Sequence, residues 1–427
     1  MKVYNMVVIG AGPAGIAAAL EAKKNGIDDI LVVERDEYIG GILPQCIHNG
    51  FGLEYFGQEL TGPEYAFEFI KELKETDIEV LTETMVLDVD KNKVITALNR
   101  KDGVIRVKGK TIILAMGCRE RTRENIKIPG DRPSGILSAG TAQRYTNIEG
   151  YMPGEKVVIL GSGDIGLIMA RRMKLEGADV KAVLEIMPFS SGLVRNKVQC
   201  LDDFDIPLKL QHTITRIEGK ERLKRVQVAQ VDKDFNVIKG SEEWVNCDTL
   251  LLSVGLIPEN ELTKAMDLKL HPVTGGTFVN ENRETNIEGV YAAGNVLHVH
   301  DLVDWVSEEA EIAGEAAANY LNDNLTKRKT KIKISPDRNV TYTVPQKIEY
   351  EFGDKNFIKI FMRVTKPIEN VKVNFKYKDE NIVSFPKKIV MPGEMVTANL
   401  PTALIKDHMK EIKVSIVKKE GETNGKK

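Results

Sequence analysis

Tyr4-Asn5-Met6-Val7-Val8-Ile9-Gly10-Ala11-Gly12-Pro13-Ala14-Gly15 decides the fold. Residues 4–9 are mostly apolar, as a strand buried on both faces in a parallel sheet must be. The glycine loop follows, and then an alanine-rich helical stretch from Ile16 to Lys24 that ends near Gly26. Ile30-Leu31-Val32-Val33 is a second buried strand, closed by Glu34 with Arg35 beside it. The glycines have separate tasks. Gly10 permits the tight turn, Gly12 lets the backbone approach a pyrophosphate, and Gly15 lets helix and strand pack closely. Pro13 and Ala14 open the helix, whose unpaired N–H groups face the phosphates. Glu34 can accept hydrogen bonds from ribose hydroxyls. A strand, a glycine loop, a helix and a correctly spaced acid together predict a dinucleotide site.

The pattern recurs within the chain. Lys156 to Leu160 reads as a strand, Gly161-Ser162-Gly163-Asp164-Ile165-Gly166 as the loop, and the helix runs to about Leu175. Val180 to Leu184 is the next strand, ended by Glu185. First glycine to acid is 24 positions in both units (34 − 10 and 185 − 161). Glu185 would bond the 2′-hydroxyl of NADH and repel the 2′-phosphate of NADPH. Ile186-Met187-Pro188 supplies no arginine for that phosphate, which leaves Arg171, Arg172 and Arg195 as its other candidate partners.

Near residue 290 the first fold resumes. Gly289-Val290-Tyr291-Ala292-Ala293-Gly294-Asn295 reads as a strand entering a turn, followed by a long helix over Val303–Leu321. The fold class expected is α/β, with two Rossmann-like dinucleotide-binding domains, the second inserted in the first, and a C-terminal all-β, sandwich-like domain. The expected bounds are 1–148 with 276–325 for the first domain and 149–275 for the insert. A basic linker is expected over 326–334, the β-domain over 335–419 and a disordered tail over 420–427. Alternating stretches such as Val371, Val373, Phe375 and Tyr377 carry the β reading.

Global composition excludes little but is consistent. The 427 residues carry a net charge of -2 with acids and bases interspersed, so neither nucleic acid nor an anionic membrane surface is indicated. No apolar run reaches the roughly 18 residues that span a bilayer. The chain enters its first motif directly, so no signal peptide and a cytoplasmic location are expected. Cys46, Cys118, Cys200 and Cys247 show no zinc-ligand spacing.

Three segments together resemble the two-dinucleotide-binding flavoprotein family, which includes thioredoxin reductase and dihydrolipoamide dehydrogenase. They are the first glycine loop, Thr111-Ile-Ile-Leu-Ala-Met-Gly117, and Gly289 to Asn295. The resemblance covers about residues 4–321 and implies FAD at the first site and NAD(P)H in the insert. It also implies that Gly41, Ala115, Gly117, Gly294, Asn295 and Asp301 contribute to the FAD site. The family usually has Asp where Asn295 stands. Its last helix points its N-terminus at the flavin, with Asp301 or Asp304 as a candidate N-cap here.

The disulfide reductases of that family carry a cysteine pair. Here the matching stretch, Gly40-Gly41-Ile42-Leu43-Pro44-Gln45-Cys46-Ile47-His48, has one cysteine, so a disulfide mechanism is not expected. Two readings stand for Cys46 and His48. They wall the flavin pocket, or Cys46 cycles through a sulfenic acid with His48 lowering its pKa. His298 and His300 raise a metal reading, but no further ligand cluster is visible in the sequence, and no metal is expected.

Gly40 to Gly52, Gly117 to Arg121 and Gly135 to Gln143 are similar to a narrower group. It comprises flavin/nicotinamide subunits of opine, sarcosine and cyanide-forming dehydrogenases, and the flavoprotein accompanying an anaerobic glycerol-3-phosphate dehydrogenase. The resemblance implies a partner dehydrogenase subunit, with a small electron-transfer protein and a homodimer as further partners. The alternatives are a stand-alone NADH oxidase or peroxidase using Cys46, and a signalling or scaffold flavoprotein.

Overall fold

The computed structural model describes residues 1–419; the tail expected over 420–427 lies outside them. The chain forms two compact units, one made of residues 1–118 and the chain from Pro258 onward, the other of residues 119–257.

The first unit is built on a seven-stranded sheet. Lys2–Ile9 lies between Ile30–Val33 and Gly103–Leu114, parallel to both, with Val7 opposite Leu31 on one side and Ile112 on the other. Met6, Val7 and Val8 are fully buried, which explains why this strand lacks alternation. Gly103–Leu114 does two jobs. Its first half pairs antiparallel with Val94–Asn99, and its end pairs parallel with Val290–Ala292, which returns from far along the chain. The helices Pro13–Lys24 and Val303–Leu321 pack through small residues. A Cβ on Gly314 would come within 2.3 Å of the Ala18 carbonyl oxygen, so this crossing needs glycine.

The C-terminal region of this unit is all-β. Five strands, in the order Lys347–Tyr350, Lys327–Pro336, Glu411–Lys418, Ile368–Tyr377 and Glu380–Val390, form one sheet. Val340–Val344, Phe357–Val364 and Val396–Pro401 form another. Their inner faces share one core, including Ile332, Ile334, Ile360, Val373, Phe375 and Ile416. The segment 326–334 is not a linker, because Lys327–Pro336 is a strand of the larger sheet. Its lysines point outward while Ile332 and Ile334 are buried, and Arg328 pairs with Glu351 and Asp407. The basic composition masks an ordinary strand alternation.

The second unit has a parallel sheet in the order Ile136–Ser138, Thr249–Leu252, Lys156–Leu160, Asp179–Glu185 and Leu208–Leu210. A three-stranded antiparallel sheet, His212–Gly219, Leu223–Gln230 and Glu243–Asn246, accompanies it. The bounds differ from the expected 149–275. Ile136–Ser138 pairs with Thr249–Leu252 and so belongs to the insert, while residues from Pro258 onward join the first unit. Among the described residues no helix is long and apolar enough to cross a membrane.

Candidate functional site

The first glycine loop is held by close approaches that only glycine allows. Gly10 has φ +103°, and a Cβ there would lie 2.5 Å from the Ala115 carbonyl oxygen. A Cβ on Gly15 would lie 1.8 Å from the Gly10 oxygen. Gly12 is the N-cap of Pro13–Lys24 and has no side chain to fill the helix end, so the N–H groups of Ala14 and Gly15 are available to an anion. Gly41, at φ +60°, faces Gly12, and Gly40 N–H donates to the Ala11 carbonyl at 2.8 Å. Gly294 has φ +74°, and a Cβ there would lie 2.9 Å from the Ala14 Cβ. The fold thus gathers the loop with Gly41, Ala115 and Gly294, and this cradle fits a pyrophosphate.

Glu34 is buried at the strand end. Its Oε2 accepts Ala11 N–H at 2.8 Å and its Oε1 accepts Asp36 N–H at 2.9 Å. Arg35 is exposed beside it. Glu185 repeats the geometry in the second unit, accepting Ser162 N–H at 3.0 Å and Met187 N–H at 3.0 Å. Gly161, at φ +101°, would place a Cβ 2.0 Å from the Ser253 carbonyl oxygen, and Gly166 would place one 2.5 Å from the Gly161 oxygen. Gly163 is the N-cap of Asp164–Leu175, again without a side-chain cap, and Ile165 follows in its first turn. Asp164 Oδ1 accepts Leu193 N–H and Asn196 Nδ2–H. Arg172 pairs with Glu176, and the Arg171 guanidinium lies over Phe204.

Around Asn295 the structure adds partners. His300 N–H donates to Asn295 Oδ1 at 2.9 Å, which fixes the amide so that Nδ2 points toward Cys118 Sγ at 3.6 Å. Gly117, just before Cys118, has φ +70°. The helix Val303–Leu321 begins at Leu302 without a side-chain cap. Neither Asp301 nor Asp304 is the N-cap. Asp301 instead accepts Met395 N–H and Arg363 Nη2–H from the β-region. Asp304 accepts the N–H groups of Gly52, Glu54 and Tyr55 and so ties the 52–55 loop to the helix start. The helix end has no side-chain cap, and the Asp304 carboxylate stands in its first turn.

The Cys46 thiol donates to the Ile42 carbonyl at 3.5 Å, and burial pushes it up to about 12. The His48 ring rests on Phe51, and its Nδ1 lies 3.1 Å from the Asn49 carbonyl. Among the described residues none of the four cysteines forms a disulfide.

Nothing in the sequence points to the node at Glu309. Its carboxylate accepts Arg283 Nε–H at 3.0 Å, His298 Nε2–H at 3.2 Å, His300 Nε2–H at 3.0 Å and Gly294 N–H at 3.1 Å. His298, His300 and Glu309 do bring metal-type ligand atoms within 4.8 Å of one another. The carboxylate's acceptor directions are filled, however, one of them by a guanidinium. Neither imidazole Nδ1 has the hydrogen-bond partner that a metal-bound ring uses. The arrangement is a buried hydrogen-bond node in which a guanidinium and two imidazoles share one carboxylate. Burial drives the His298 imidazole down to about 4, so it is neutral. Burial opposes charge on Glu309 too, but the histidine donors outweigh it and hold the carboxyl well below the usual range. The helix buries Asp304, Ser307 and Glu309, but nothing local names their partners.

Two glycine-loop nucleotide folds, each ending in a buried acid, define a protein built to hold two dinucleotides. The chain belongs to the pyridine nucleotide-disulphide oxidoreductase family, whose description matches residues 4–319. Proteins of this family use FAD and NAD(P)H. The chain is 24% identical over 324 residues to an alkyl hydroperoxide reductase subunit of Staphylococcus aureus, a match that takes in 74% of this chain and 57% of that relative's length. It is 26% identical over 338 residues to hydrogen cyanide synthase subunit HcnB of Pseudomonas protegens, covering 74% of this chain and 69% of that one. Among solved structures, thioredoxin reductase of T. acidophilum aligns with TM-score 0.61 and 22% identity over 76% of this chain and 99% of that one. An NAD-dependent persulfide reductase of A. fulgidus aligns with TM-score 0.56 and 20% identity over 92% of this chain and 73% of that one.

Proposed function

We propose that the chain exchanges electrons between NADH and FAD and passes them to or from a second protein, not through a disulfide of its own. The observation that carries this reading is that Cys46 is the one cysteine of the segment beside the first glycine loop and forms no disulfide. Bound FAD supplies the two-electron chemistry. The chain's residues do the rest. The N–H groups behind Gly12 together with Glu34 would hold the dinucleotide, and the N-terminal end of Val303–Leu321 would favour negative charge on a flavin bound there. Preference for NADH rests on Glu185, since Arg171 and Arg172 are engaged with Phe204 and Glu176.

The likeness to a subunit of hydrogen cyanide synthase supports a multi-subunit setting. The substrate would then be oxidised by a partner dehydrogenase of the glycerol-3-phosphate or amine type, with a small electron-transfer protein as relay. A homodimer through the first unit is compatible with this. A stand-alone oxidase or peroxidase would need Cys46 as a thiolate, which its burial opposes. To test the reading, NADH-reduced protein is mixed with air and, separately, with a one-electron dye. Slow oxidation by air with fast oxidation by the dye supports it. Rapid multiple turnover in air contradicts it.

A further inference from the structure

The net charge of -2 is not spread evenly along the chain. Residues 327–419, the β-region, hold 21 lysines and arginines against ten acids, a net of +11, while residues 1–326 carry -13. Part of the positive charge gathers on the outer face of the five-stranded sheet. Val371, Val373, Phe375, Val414 and Ile416 belong to the sandwich core, so Lys372, Lys376 and Lys413, at alternate positions, point the other way. Lys331 and Lys333 join them from Lys327–Pro336, whose Ile332 and Ile334 are buried, and Lys347 joins from the neighbouring edge strand.

The cross-strand register sets like against like. Lys376 lies directly opposite Lys413, and Lys333 opposite Lys347. Like charges so placed destabilise a sheet. Glu349 pairs with Lys331 at 2.6 Å and with Lys347 at 2.8 Å, and Glu411 lies 3.6 Å from Lys333. Lys372, Lys376 and Lys413 form no ion pair among the described residues, and Lys372 and Lys413 are exposed. Nothing in the packing of the sheet requires this excess, whereas an anionic partner would neutralise it.

The side chains among the lysines point to the kind of partner. Ser335, Asn374, Ser384 and Ser415 share their face. Among the described residues it presents no aromatic ring on which a base stacks or that enters a bilayer interface. An extended polyanion would also meet the negative charge of residues 1–326, whereas a small acidic protein need cover only this face. Lysine suits such a partner, because its strongly hydrated head is depleted from interface cores and steers encounter instead. Electron exchange between proteins uses small contacts of this short-lived kind. We propose that the lysine face docks a small acidic protein, and that this protein is the electron partner of the reading above. The second half rests on that reading; the docking does not.

The test uses the flavin-loaded protein, with an acidic ferredoxin as the probe. Calorimetric titration compares the wild type with the triple variant Lys372→Glu, Lys376→Glu, Lys413→Glu, and with the same three positions changed to Gln, which removes charge without reversing it. At low salt the Kd for ferredoxin rises about tenfold or more in the Glu variant and by less in the Gln variant. At ~0.15 M salt, where the screening length is about 8 Å, the difference shrinks. Bleaching of the flavin by NADH is the same in all three proteins. Equal ferredoxin affinity for all three, or none for the wild type, overturns the docking face. Tighter binding of duplex DNA or of phosphatidylserine vesicles than of ferredoxin overturns the acidic protein as its occupant. Ferredoxin that binds through the three lysines but is not reduced by NADH leaves the docking standing and overturns the electron partner alone.

Discussion

Arg283 Nε–H donates to Glu309 Oε1 at 3.0 Å, with both side chains sealed from solvent. The guanidinium also lies 5.5 Å from the Phe361 ring of the β-region, and the same carboxylate holds Gly294 N–H. One ion pair therefore joins the β-region to the turn that carries Asn295. Glu309→Gln keeps the shape but leaves Arg283 buried without its counter-charge. Such a break costs about 3–5 kcal/mol. The urea midpoint should drop accordingly and the flavin-to-protein absorbance ratio should fall. A variant as stable and as yellow as the wild type would refute this role.

Gly15→Ala should yield protein without flavin. The added methyl carbon would lie 1.8 Å from the Gly10 oxygen, a distance no side-chain adjustment relieves because both partners are backbone. The loop must open, and the pyrophosphate loses its N–H cradle. The check is the flavin released on denaturation per protein chain, with near-stoichiometric flavin counting against the site.

Glu185→Arg exchanges an acceptor for a phosphate partner. It should weaken NADH and strengthen NADPH as reductants of the flavin, shifting their ratio by about tenfold to a hundredfold, the range for hydrogen bonds to charged groups. Reduction kinetics under both nucleotides measure this. An unchanged preference would remove Glu185 from the nucleotide site.

Cys46 should be a poor nucleophile near neutral pH. Burial raises its pKa from 9.0 to about 12, so its thiolate fraction at pH 8 is about a thousandfold smaller than that of a solvated thiol. A raised acid pKa means that the folded state holds the proton more firmly. This contribution to stability is complete below about pH 9 and is lost as the pH rises toward 12. Alkylation followed by mass spectrometry should label Cys46 slowly at pH 8 and rapidly once the chain is unfolded in denaturant. Fast labelling of the native protein would restore the thiol-based oxidase.

The glycine loops and their acids are legible because every part of that signal lies within about 25 residues and each glycine answers a local backbone demand. Contacts closed by distant chain are not. Asp304 looks like a helix cap, but its carboxylate is taken by N–H groups about 250 positions earlier. Glu309 reads as one more acid on a helix until Arg283 is placed beside it. Ser162 and Ser191 are ordinary loop serines until Glu185 joins them. Charge hides the alternation of Lys327–Pro336, so a strand reads as a linker. The edge of the insert is hidden too, because Ile136–Ser138 finds its partner strand more than 100 residues later.

The most direct test of the central claim is anaerobic mixing of the purified flavoprotein with NADH and, separately, with NADPH, following the flavin absorbance. Rapid bleaching by NADH and much slower bleaching by NADPH is the expected result. Failure of both nucleotides to bleach the flavin would contradict electron exchange between the two sites.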